Sequence, residues 1–137
     1  MLIPHHCLHP PPRHTGNCAF MVGIMLFGLR LFHQATGDRR IRGLMERGTD
    51  MVIRDMWDGK RKEFRYTSCP TRYSSPAIHP LVVSGMAYTY RLTKRKDVGR
   101  ILRQAMDSCL KTVRPGMRGD GVSVQMRFVP VILSDLA

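Results

Sequence analysis

An ungapped internal repeat constrains this 137-residue chain more than any other feature. Shifting the sequence by 57 places lays Gly28 on Gly85, Leu29 on Met86 and Thr36 on Thr93. The match continues through Ile41 on Val98, Leu44 on Ile101, Met45 on Leu102, Gly48 on Ala105, Asp50 on Asp107 and Ile53 on Leu110. Most of these are matches of class rather than identity, yet the register crosses a turn and two segments of helical period without a break. A unit of this length holding a helix pair predicts an all-α array of antiparallel helical hairpins.

Each unit pairs two unlike helices. Residues 17–36 are apolar on nearly every face, which predicts a helix buried all round. Gly37 suits the left-handed position that ends it, and Asp38 suits the cap of the next helix. Residues 38–57 set Ile41, Leu44, Met45, Gly48, Met51, Val52 and Met56 on one stripe with the charges mostly elsewhere, so this helix has one wet face. His79-Pro80 opens a second apolar helix running to about Leu92, with proline at a tolerated first-turn position. After Thr93–Lys96, a second amphipathic helix turns Val98, Ile101, Leu102, Ala105, Cys109, Leu110 and Val113 inward. Hairpins are therefore expected over 17–57 and 79–114. The alternation of Val122–Phe128 suits a short strand or a helical turn, and 130–137 suits the start of a third apolar helix. The chain is taken as a single domain, 1–137.

A flat stack of hairpins does not demand such unlike partners. A closed ring does, because inner helices touch neighbours on every side while outer ones face water. On Gly28-Leu29-Arg30-Leu31-Phe32-His33-Gln34-Ala35-Thr36-Gly37-Asp38 and Arg47-Gly48-Thr49-Asp50, the chain resembles the six-hairpin (α/α) toroids of glycoside hydrolases and polysaccharide lyases. The pattern recurs more weakly over 85–93, where Lys94 replaces the glycine and Asp97 comes late. The resemblance covers roughly 17–113 and implies a partial (α/α) toroid. Two and a half hairpins do not close a ring of six, so a fragment of a larger enzyme is expected. A small all-α domain that dimerises is the alternative, since an open array exposes apolar edges that seek partners.

The chain carries 22 Lys+Arg against 10 Asp+Glu, a formal charge of +12, and 17 of the bases are Arg. Arginine forks onto carboxylate and phosphate, so an anionic partner is expected. The longest apolar run, Cys18–Leu29, ends at Arg30 and falls short of a bilayer span, so no membrane partner is expected. The first residues lack the basic start and apolar stretch of a signal peptide, and cellular location is left open. Cys7, Cys18, Cys69 and Cys109 lie far apart with no CxxC pair, which argues against a disulfide framework.

The turns inside the hairpins are short. The loops between them, 1–16, 58–78 and 115–121, are long and chemically rich, and in the toroid enzymes the substrate cleft lies at that end. His5, His6, Cys7 and His9 supply donors but match no compact zinc spacing, so neither metal nor cofactor is expected. Arg13 and His14 precede a buried helix and would face the mouth, where His14 suits proton transfer. The second loop adds Trp57, Arg65, Tyr66, Arg72 and Tyr73. Aromatic faces stack on sugar rings and Arg forks onto an acid group. Trp57 and Phe64 forming a small loop core is the competing reading. His14 and Tyr66 are thus the catalytic candidates, with Arg13, Trp57, Arg65, Arg72 and Tyr73 as substrate-binding candidates.

A glycosidase needs two carboxylates across the scissile bond. The presumed mouth offers only Asp58, Glu63 and Asp120, but several His, Arg and Tyr. That balance leans toward a lyase acting on an acidic polysaccharide: Arg neutralises the uronate and His or Tyr moves the proton. The expected function is a fragment of a carbohydrate-active enzyme acting on an acidic glycan. The alternative is a non-catalytic basic helical-repeat module that binds nucleic acid or protein.

Overall fold

The computed structural model describes residues 3–4, 15–16, 18–68, 79–111 and 119–137. Its elements, in chain order, are β1 (Ile3–Pro4), β2 (Thr15–Gly16), α1 (Ala19–Thr36), α2 (Arg40–Met56), β3 (Trp57–Asp58), β4 (Glu63–Phe64), α3 (His79–Thr93), α4 (Lys96–Lys111) and α5 (Gly119–Leu136). The class is all-α, with antiparallel hairpins α1–α2 and α3–α4. The strands make two short antiparallel pairs, β1 with β2 and β3 with β4.

The repeat holds at the level of single hydrogen bonds. Helix α1 ends with Thr36 Oγ1 donating to the Phe32 carbonyl, and α3 ends with Thr93 Oγ1 donating to the Thr89 carbonyl, each at 2.8 Å. The next residue turns left-handed in both, Gly37 at φ 66° and Lys94 at φ 52°. Their amides donate to His33 and Tyr90 carbonyls. Lys94 holds this conformation without glycine's freedom, at a cost of about 1 kcal/mol. Asp38 Oδ1 accepts the Arg40 amide at 2.9 Å, one residue ahead of the cap position, which Arg39 occupies without a side-chain cap bond. Asp38 also pairs with Arg40, and Arg95 with Asp97. These are equivalent positions with the charges exchanged.

Glycine brings α1 and α3 into close contact. A Cβ on Gly23 would lie 2.2 Å from the Leu81 carbonyl oxygen, and one on Gly85 would lie 2.2 Å from Leu26 Cβ. Gly23 meets Val82 while Leu26, three residues on, meets Gly85, so the two helices run parallel. Phe27 meets Phe128 and Arg30 meets Asp135, so α5 runs the same way. Helices α1, α3 and α5 therefore form an inner layer, with α2 and α4 packed outside it. Side chains of α1 and α5 meet each other while both pack on α3, so the layer is curved. A groove of about 250 Å³ between Ile24, Phe27, Leu81, Arg127 and Phe128 follows that curve.

Helix α3 is buried continuously from Val82 to Thr89, as expected for an inner helix. Helix α1 is not buried all round: Met21, Ile24, Met25, Leu31 and Phe32 are exposed, because α1 has an inner-layer neighbour on one side only. By length and composition alone α1 is apolar enough to cross a membrane, a test that core helices also pass. The twelve-residue run thus understated the helix, which continues past Arg30. The third helix starts at Gly119 rather than 130, and it absorbs Val122–Phe128. Phe128, Ile132 and Asp135 follow helical spacing and are all buried. Pro130 lies inside α5 on the exposed side, where the carbonyl it leaves without a donor is open to water.

His79, at the start of α3, joins both hairpins. Its Nε2 accepts the Phe64 amide at 3.5 Å, its Nδ1 donates to the Ala105 carbonyl at 3.4 Å, and Phe64 stands edge-on to its ring. Burial drives its pKa from 6.5 down to about 4. The native state therefore resists a proton that the unfolded chain accepts below pH 6.5. Stability is full above that pH and falls as pH drops toward 4, by about 3 kcal/mol in all. Urea unfolding at stepped pH will show this loss, and His79→Gln will flatten it relative to the parent chain.

Candidate functional site

The loop 57–68 closes the end of the inner layer where α1 begins. Asp58 organises its turn: Oδ1 accepts the amides of Lys60 at 2.9 Å and Arg61 at 3.2 Å, and its carbonyl accepts Lys62. The β3–β4 pair then sets Trp57 opposite Phe64, with ring centroids 4.9 Å apart. Phe64 is fully buried while Trp57 is half-exposed. The two readings of Trp57 are thus joined, since one face supports the loop core and the rest of the ring is open.

The open side of Trp57 lines a groove of about 330 Å³ with Ile53, Gly59, Lys62, Arg100, Ile101 and Gln104. Lys62 reaches it because the turn holds that residue at φ 58°. Arg100 and Gln104 reach it from one face of α4, one helical turn apart. Some arginines of α2, α4 and this loop are committed to acids: Arg54 to Asp55, Arg61 to Glu63, Arg95 to Asp50 and Asp97. Lys62 and Arg100 have no acidic partner among the described residues. An aromatic platform, an amide and two cations without an acidic partner among the described residues give this groove groups that can accept an anion beside an apolar face.

The other expected site residues do not all converge there. Tyr66 turns toward α1: its carbonyl accepts the Ala19 amide at 3.0 Å and its ring lies 5.8 Å from Phe20. Its hydroxyl also bonds the Cys18 thiol, although burial still pushes that thiol's pKa up. Arg65 is half-buried, donates its amide to Met56, and has a buried Nε without a hydrogen-bond partner among the described residues. Arg13, His14, Arg72 and Tyr73 lie outside the described residues, as do His5, His6, Cys7 and His9. Among the described residues no three His, Cys, Asp or Glu converge to hold a metal.

The opposite end of the inner layer carries a charge cluster that the sequence reading missed. The Asp135 carboxylate of α5 is wholly buried and pairs with Arg30 of α1, itself buried, and with Arg91 of α3 at 3.4 Å. Arg30 stacks over the Tyr88 ring, 5.1 Å from its centroid, and Tyr88 Oη bonds His33 Nδ1 at 3.0 Å. Burial pushes the Asp135 carboxyl above the usual carboxylate range, and the two guanidiniums offset only part of that rise. One acid on α5 thereby ties the three inner helices together. Arg30 read as the end of an apolar run because its partner lies 105 residues away, beyond any local pattern.

No family model, no curated protein and no solved structure matches this chain.

Asp135→Ala would leave Arg30 buried and unpaired, a change that typically costs about 3–5 kcal/mol. Chemical unfolding is expected to show a loss of that order, while Arg91→Ala, which removes a half-exposed guanidinium and leaves Asp135 paired with Arg30, will cost far less.

Proposed function

We propose that the chain is part of a carbohydrate-active (α/α) toroid, of hydrolase or lyase type, and that the groove beside Trp57 holds an acidic sugar. The observation that carries the class is the register-true repeat. Two hairpins with matching end-caps place their apolar helices parallel on the inside and their amphipathic helices outside. A toroid is built in that way, and this supports the reading that the resemblance suggested.

The groove supports the preference for an anion. Trp57 offers a flat apolar face to a pyranose ring, Arg100 and Lys62 offer cations to its carboxylate, and Gln104 offers an amide to hydroxyls. In this reading, proton transfer is assigned to His14 or Tyr66 and substrate contacts to Arg13, Arg65, Arg72 and Tyr73, as the resemblance implies. Tyr66 at the start of α1 is the one catalytic candidate whose surroundings are described. The alternative is a basic module for nucleic acid or protein.

Trp57 is the only tryptophan in the chain, so its emission reports the groove directly. Titration with oligogalacturonate is expected to shift that emission, and a neutral glucan oligomer is expected to leave it unchanged. Arg100→Ala will weaken binding about tenfold, the effect of one lost charged hydrogen bond. Binding of single-stranded DNA with steep salt dependence and no response to uronate would favour the basic-module reading instead.

A further inference from the structure

The apolar face that α1 leaves bare has a covered counterpart elsewhere in the same chain. Ile24, Met25, Gly28, Leu31 and Phe32 map through the repeat onto Leu81, Val82, Gly85, Tyr88 and Thr89 of α3. On α3 this is the side packed against the first hairpin. Leu81 and Val82 meet Gly23, Gly85 meets Leu26, Tyr88 meets Arg30 and His33, and Thr89 meets Thr49. On α1 the same positions stand open, with Ile24 46%, Met25 47%, Leu31 52% and Phe32 50% exposed.

Gly28 is the clearest mark of a missing neighbour. Its counterpart Gly85 is glycine because Leu26 presses on it, whereas a Cβ on Gly28 would meet nothing among the described residues within 4 Å. A glycine inside a helix costs about 1 kcal/mol against alanine. Nothing among the described residues accounts for that cost here, and a parallel helix seated on α1 as α1 sits on α3 would.

The other end of the inner layer is bare as well. Phe128, Ile132 and Asp135 are the buried side of α5, and on its opposite side Met126, Pro130 and Leu133 are exposed.

We propose that a second copy of this chain covers both edges: α5 of each copy seats its Met126–Leu133 stripe on the α1 face of the other. A half-turn about an axis along the inner helices makes this pairing twice. It keeps all the inner helices parallel, which the interface inside the chain already requires, and it leaves no edge open. Gly28 then receives Leu133 of the partner copy as Gly85 receives Leu26. The inference rests on the repeat, which also carries the toroid reading. It does not use the Trp57 groove, which lies on the α2–α4 flank.

Light scattering on the full chain across a concentration series tests the pairing. The expected mass is twice the 15.7 kDa of one chain. Gly28→Leu, which has open space in the single chain, is expected to give a monomer with unchanged helical circular dichroism. Leu133→Asp, on the opposite edge, is expected to do the same. A monomeric parent chain at every concentration overturns the proposal, as does a dimer that survives both substitutions. Assemblies that keep growing with concentration overturn the two-fold closure. None of these outcomes alters the uronate titration, so failure of the pairing and failure of the glycan reading are separately visible.

Discussion

The contact between α1 and α3 is made possible by two missing side chains. Gly23 and Gly85 let the helices approach until backbone meets backbone, and the rest of the packing follows from that approach. With α1 so near, α3 is covered on that side, and α4, α5 and α2 close its remaining sides. Leu26 is then fully buried, filling the space over Gly85 and reaching Gly48 of α2. A Cβ at Gly23 or Gly85 would part the helices and loosen contacts that lie far from either glycine, because a close-packed interior transmits such strain.

Charge is arranged around this apolar frame at three depths. At the surface, arginines are paired with nearby acids and contribute little each. At the hairpin turns, the Asp38–Arg40 and Arg95–Asp97 pairs occupy matching places, and the Arg40 partner holds the Asp38 carboxyl down at about 2. Inside, Asp135 joins α1, α3 and α5, a contact whose removal matters because it strands a buried guanidinium. The ten acids are already counted in the formal charge of +12, so these pairs leave that excess of positive charge in place, and the groove by Trp57 sets two of the cations without an acidic partner among the described residues beside an aromatic ring.

Periodicity made the hairpins legible: the ends at Thr36 and Thr93 and the turn at Gly37 follow from spacing and cap chemistry alone. The unlike character of the two helices in each unit correctly placed α3 inside. Three things were hidden. The bare face of α1 was not visible, because an all-apolar helix looks the same whether its last neighbour is present or not. Helix α5 was cut short because Pro130 and an alternating stretch imitate a boundary, while its i, i+4, i+7 contacts from Phe128 depend on α3. The candidate groove was half legible. Trp57 announced itself by type, but Arg100 and Gln104 come from a helix 43 and 47 positions further along, and their approach to it is a product of the fold.

The measurement that bears most directly on the account is a paired unfolding experiment on Gly85→Ala and Gly28→Ala, in dilute solution where each chain stands alone. These residues are equivalent in the repeat and identical in type, so helix propensity acts on both alike. The account predicts opposite signs. Gly85→Ala loses about 1–3 kcal/mol as its methyl meets Leu26, and Gly28→Ala gains up to about 1 kcal/mol in open space. Equal shifts of the same sign at the two positions would contradict it.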